Sequence, residues 1–153
     1  MAGFFNRIFG KRAQPARREP DADDNRIAVA LLAMLTKQFD LIGMELGTVP
    51  ATGPYASPEC RGALLGLCIG ILQAEGIEMT RDRCIDTFIA AFVLVYGDPA
   101  GRELAAQTVT QSASDDTSIN RTSEFAIADA KGVYESGGVT SYTAFSLALH
   151  GMI

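Results

Sequence analysis

Apolar side chains recur at Ile27, Leu31, Leu35, Phe39, Ile42 and Leu46. Those steps of three or four place them on one face of a helix over residues 26–46. Asp24 or Asn25 is positioned to cap its start, and Gly47 with Pro50 to end it. "SPE" at 57–59 then supplies a capping serine, a proline for the first turn and an acid beside the helix N-terminus. The second helix it opens is predicted to reach about Gln73. Thr80 can cap a third helix with Asp82 in its first turn. Its second half, "FIAAFVLVY" at 88–96, is apolar on every side, the pattern of a helix at the centre of a fold.

Gly97 stops that helix, and Asp98–Pro99 is expected to restart the chain by the same cap-plus-proline logic. "AGRELAAQTVTQSA" reads as a fourth helix weakened at its end by Thr108, Thr110 and Ser112. The polar stretch 112–123 reads as a loop or a poorly formed first turn. A helix over 122–135 is expected to turn Phe125, Ala128 and Val133 inward and to end at Gly137–Gly138. Ser141 is positioned to cap a last helix, "YTAFSLALH". "GGVTSYTAF" also holds enough Val, Thr and Tyr to tolerate a strand. The predicted fold is all-α, a compact bundle of about six helices over residues 26–153. A linker at 13–25, rich in charge and proline, precedes it, and a short amphipathic basic arm at 1–12 comes first.

Gly62, Gly66 and Gly70 fall four apart on the second helix, so they share one side of it. Glycine costs about 1 kcal/mol against alanine inside a helix, and three in register imply that missing side chains admit a close neighbour. The neighbour is expected within the chain's own core, with self-association of two copies into a homodimer as the other use of such a seam. The apolar run is about a dozen residues, short of the ~20 that cross a bilayer.

Charge divides the 153 residues in two. Residues 1–18 carry Arg7, Lys11, Arg12, Arg17 and Arg18 and no acid, a charge of +5, while the rest holds 8 cations and all 18 acids, a charge of −10. An acidic body repels nucleic acid and anionic lipid, so attraction to either must come from the arm. Within the arm, Phe4, Phe5, Ile8 and Phe9 share one face of a helix over residues 3–11, flanked by Arg7, Lys11 and Arg12. This is the pattern of a short helix lying in a membrane interface. Phe-rich spacing adds nothing to phosphate binding unless bases stack, so nucleic acid is disfavoured. The arm docks to an anionic membrane surface or a protein partner, staples back onto its own domain, or has no selected role; the first is expected. Its apolar residues precede its cations, unlike a secretory signal, and "MAG" lacks the glycine needed directly after methionine for myristoylation. The arm is expected to be retained and unmodified, in a cytoplasmic protein held at the inner face of a membrane.

Recognisable chemistry is sparse. Cys60, Cys68 and Cys84 are odd in number and widely spaced, neither a disulfide framework nor a zinc spacing, and are expected to be reduced core residues. His150 is the sole histidine, beside a predicted helix C-terminus where it caps carbonyls. No P-loop, GxGxxG, EF-hand loop or GxSxG elbow occurs, and "NRT" at 120–122 is a glycosylation acceptor only in a secreted chain. Asp23–Asp24 and Asp115–Asp116 are adjacent pairs of the kind that cap helices. Asp86, the acid nearest the central apolar run, leads the weak functional candidates, but pairing with Arg83 one turn back explains it better. These features predict a non-catalytic interaction or adaptor protein with no catalytic residue, cofactor or metal. The alternative is a helical domain that binds a small ligand in a pocket between helices near Phe88 and Phe92.

Overall fold

Asp21 opens the first helix ahead of its apolar pattern. The Asp24 N–H donates to the Asp21 carboxylate at 2.9 Å, and the Asp21 N–H donates to the Asp24 carboxylate at 2.8 Å. This reciprocal pair satisfies two backbone donors at the helix start. The computed structural model describes residues 19–153; the arm at 1–12 and linker residues 13–18 lie outside the described residues. Helix α1 runs Ala22–Leu41, which corrects both predicted ends. Residues 22–25, expected in the linker, form its first turn. At the other end Gly43 takes the left-handed conformation (φ 70°) and the Met44 N–H returns to the Phe39 carbonyl at 3.0 Å. That closure ends the helix well before Gly47. Ile42 and Leu46 therefore pack against the core from a turn.

Five further α-helices follow: α2 (Pro58–Ala74), α3 (Arg81–Tyr96), α4 (Ala100–Ala113), α5 (Thr117–Glu135) and α6 (Ala144–Leu149), with a single 3-10 turn at Gly53–Ala56 and no strand among the described residues. The all-α bundle read from the sequence is the observed fold. Ser57 caps α2 by accepting the Cys60 N–H at 3.1 Å, and Thr80 caps α3 by accepting the Arg83 N–H. Two expected caps are corrected. Pro99, not Asp98, occupies the position before α4, while Asp98 accepts a hydrogen bond from Arg102 at 3.3 Å. Ser141 does not cap α6; Asp129, reaching across from α5, accepts the Thr143 and Ala144 N–H groups at 2.8 and 3.0 Å.

The centre of the bundle is α2, not α3. Every residue of α2 from Cys60 to Leu72 is buried, and α1, α3, α4, α5 and α6 all touch it. In α3 the buried set is Cys84, Thr87, Phe88, Ala91, Phe92, Val95 and Tyr96, a single face, and Ala90 is exposed. Both helices are strongly apolar, but only α2 lacks charged residues over its whole middle, so only α2 can be enclosed on every side. Helix α5 begins at Thr117, inside the stretch expected as loop, because the Asp116 carboxylate accepts the Ile119 N–H at 3.0 Å. Its inward face is Ile119, Thr122, Ser123, Ala126 and Ala130. Phe125 and Ala128, expected inward, are exposed, and Val133 is half-buried.

Candidate functional site

Small residues of α5 can face α2 because of the glycines opposite. A Cβ on Gly62 would lie 2.5 Å from the Ile119 carbonyl oxygen. On Gly66 it would collide with the Ser123 carbonyl oxygen and come within 2.7 Å of the Ala126 Cβ, and on Gly70 it would reach the Ala130 Cβ at 2.7 Å. The two backbones are in contact along three turns, and the Ser123 hydroxyl donates to the Gly62 carbonyl at 2.9 Å across the seam. Tyr142 adds a second tie, its hydroxyl donating to the Ala63 carbonyl at 2.9 Å. Gly62, Gly66 and Gly70 are thus covered by α5 of their own chain. The close neighbour expected within the chain's own core is α5, and it covers the face that the alternative would have offered to a second copy.

The buried nucleophiles are similarly enclosed. Cys60, Cys68 and Cys84 are free and buried. Burial pushes the Cys60 thiol up to about 11 and the Cys84 thiol up to about 12, and that of Cys68 higher still in direction. A thiol held neutral is a poor nucleophile and a poor metal ligand. Among the described residues no three His, Cys, Asp or Glu side chains gather as metal ligands do. His150 is exposed at the end of α6, its Nδ1 2.7 Å from the Ser146 carbonyl. The paired acids cap or flank helix starts: Asp23 and Asp24 lie in the first turn of α1 and Asp116 opens α5.

Three arginines organise the polar contacts. Arg61, only 5 % exposed, donates through Nε to the Ala56 carbonyl at 3.0 Å and through its guanidinium to Thr108 and Gln111 at 3.0 and 2.6 Å. It ties α2 to α4, and desolvation holds its pKa below the ordinary arginine value. Its one visible signal is a lone cation within "CRGALLGLC". Arg83 of α3 bonds Asp21 at 2.9 Å and lies 3.5 Å from Asp23. Arg26 bonds Asp23 at 3.0 Å and Glu75 at 2.6 Å. The first turn of α1 is thereby pinned to α3 and to the end of α2.

Beyond that first turn α1 is loosely covered. Val29 and Leu32 are 70 % and 51 % exposed. Beside Val29 opens a groove of about 750 Å³ between α1 and the end of α5, with Ala33, Met34, Val133, Tyr134 and Tyr142 among its lining. A second groove of about 500 Å³ separates α3 from α4, with Ile85, Phe88, Ile89 and Val109 in its walls and Arg81 and Arg102 beside them. Phe88 and Phe92 are both buried in the core; Phe88 also contributes to the wall of this groove and Phe92 does not. No helix of the described residues is long and apolar enough to cross a membrane. Phe4, Phe5, Arg7, Ile8, Phe9, Lys11 and Arg12 lie outside the described residues. Compared with protein-family models, curated proteins and solved structures, the chain gives no match.

Proposed function

We propose that this chain is a non-catalytic helical interaction protein whose residues 1–12 dock an acidic helical body to an anionic membrane surface. The observation that carries the reading is the charge division, +5 in residues 1–18 against −10 in the remainder, joined to four large apolar residues on one side of the basic segment. Each cation near an anionic leaflet contributes about 1 kcal/mol, and each side chain fully buried among acyl chains about 1.5–3 kcal/mol. Ordering the arm opposes both, so the binding is weak, reversible and sensitive to salt. The body, repelled by the same surface, stands away from it and presents its helices to a protein partner.

Co-sedimentation with vesicles tests this directly. The full-length protein is expected to pellet with anionic vesicles at low salt, to be released at high salt, and to ignore neutral vesicles. A Phe5→Ser/Phe9→Ser variant should stay in solution throughout. Equal pelleting of variant and parent, or none with either, sinks the membrane reading. A shortened chain for the same comparison should begin at Glu19, because one beginning at Arg26 loses the Asp21–Asp24 cap. The groove between α3 and α4 favours a second reading, a site for a small apolar ligand, which mass spectrometry of the gently purified protein would register as a bound molecule.

A further inference from the structure

The groove along α1 is a wide, largely apolar cleft, and its position suits one occupant. It begins where residues 1–18 join the domain. Asn25 and Lys37 mark its extent along α1, about 18 Å at 1.5 Å per residue. The chain between Phe9 and Asp21 reaches about 40 Å when extended. The arm can therefore lie anywhere along the groove, in either direction, without strain. Being tethered, it faces the groove at an effective concentration in the millimolar range.

The chemistry matches as well. A helix whose apolar face is laid into an apolar groove is a recurring mode of recognition, and residues 3–11 supply that face with Phe4, Phe5, Ile8 and Phe9. Val29, 70 % exposed, stands on the groove's wall with Ala33, Met34 and Val133, between polar ends that include Asn25 and Lys37. Of the two cations on its lining, Arg26 is engaged by Asp23 and Glu75 and Lys37 stands at the other end, so the walls themselves offer a basic segment no charge attraction and the apolar side chains carry the docking. The body's net −10 draws the arm's +5 inward over longer distances.

The geometry points to residues 3–11 docking in the groove between α1 and α5, so that the groove and the membrane compete for the same four apolar side chains. The docking stands by itself; the competition rests on the membrane reading. A membrane then displaces the arm from the groove and uncovers the α1 surface at the moment of recruitment, which couples arrival at the membrane to exposure of an interaction face. The apparent affinity for vesicles is lowered by the fraction of time the arm is free.

The test uses the full chain. Gly10→Cys is paired in turn with Asn25→Cys and with Lys37→Cys, at the two ends of the groove, and with Gln107→Cys on α4 as reference; the native cysteines are buried. A short bifunctional thiol reagent should give an internally crosslinked monomer with Asn25→Cys or Lys37→Cys several-fold faster than with Gln107→Cys. Adding Val29→Glu should cut that yield several-fold. In the chain with only its native cysteines, Val29→Glu should raise affinity for anionic vesicles roughly tenfold, the value for an arm docked about nine-tenths of the time, while Phe125→Glu on the far side of α5 should not. Crosslinking no faster than the reference, or crosslinked dimers in place of monomers, overturns the docking. Docking with vesicle affinity unmoved by Val29→Glu overturns the competition. Docking with no vesicle binding in any variant leaves the groove assignment standing and removes the membrane function alone.

Discussion

Helices α1 and α2 are both long and both rich in apolar residues, yet the bundle treats them in opposite ways. Helix α2 is closed on every side, and along its glycines α5 comes to backbone contact. Helix α1 is held at its first turn by Arg83 and Arg26 and along one side by Ile27, Leu31, Leu35 and Phe39, while Leu32 is exposed and Val29 faces outward on an open groove. Removing side chains from α2 let a neighbour close over it, and keeping them on α1 left surface to be filled by something else. A tight seam contributes stability and presents no surface, whereas a loose helix contributes less and remains available.

The sharpest way to break the contrast is Gly66→Val. Its Cβ alone would collide with the Ser123 carbonyl, and a β-branched side chain cannot turn aside within a helix. Overpacking typically costs 1–3 kcal/mol, and a clash with backbone belongs at the upper end. A loss of about 3 kcal/mol or more is expected by chemical denaturation, a large part of the 5–15 kcal/mol that folds a domain. Near-wild-type stability would mean that the seam is not closed as described.

The fold was legible where the signal is local. Ser57–Pro58 and Thr80 announced their helices, and four of the α1 stripe residues, Ile27, Leu31, Leu35 and Phe39, are in the core. What failed depended on partners distant in the chain. Phe125 and Val133 looked like the inward face of α5 because they are larger, but the face that meets the glycines some 60 residues earlier is Ile119 followed by Thr122, Ser123, Ala126 and Ala130, nearly all small. Asp129 as the cap of α6 and Gly43 as the end of α1 were invisible for a related reason. One capping group comes from another helix, and the other glycine resembles an interior residue until its φ is known. Of the candidate site, the arm's amphipathic pattern could be read from sequence. The groove could not, since it exists only where α1 and the end of α5 fail to close.

A smaller effect of opposite sign comes from the helix that clasps α2. Gly132 lies in α5, and a Cβ there would meet nothing within 4 Å. Gly132→Ala should therefore stabilise the protein by about 0.5–1 kcal/mol, through helix propensity and a restricted unfolded chain. The substitution that adds one methyl group to open space should raise the thermal midpoint, while the same methyl at Gly66 should lower it. Matching signs at the two positions would show that propensity, not packing, governs both.

The smallest effect concerns the attachment of α1 itself. Asp21 has its pKa held below the usual 3.8, first by the Asp24 N–H and then by Arg83, against a partial opposition from desolvation. A carboxylate with a depressed folded-state pKa stabilises fully above its unfolded value, and the contribution drains as pH falls through the folded value. Asp21 is solvent-exposed, so the global midpoint should barely move. What should change is local: below about pH 4, amide exchange at Asp24 and Asn25 should quicken before α2 loses any protection. Asp21→Asn keeps a side-chain oxygen to cap the helix but cannot titrate, so it should lose that pH dependence while α1 remains helical at neutral pH. If instead the first turns of α1 and the centre of α2 open together on acidification, then α1 is no looser than the helix it covers. The open groove beside it would then be a fixed feature of a uniformly stable bundle, with no movable edge.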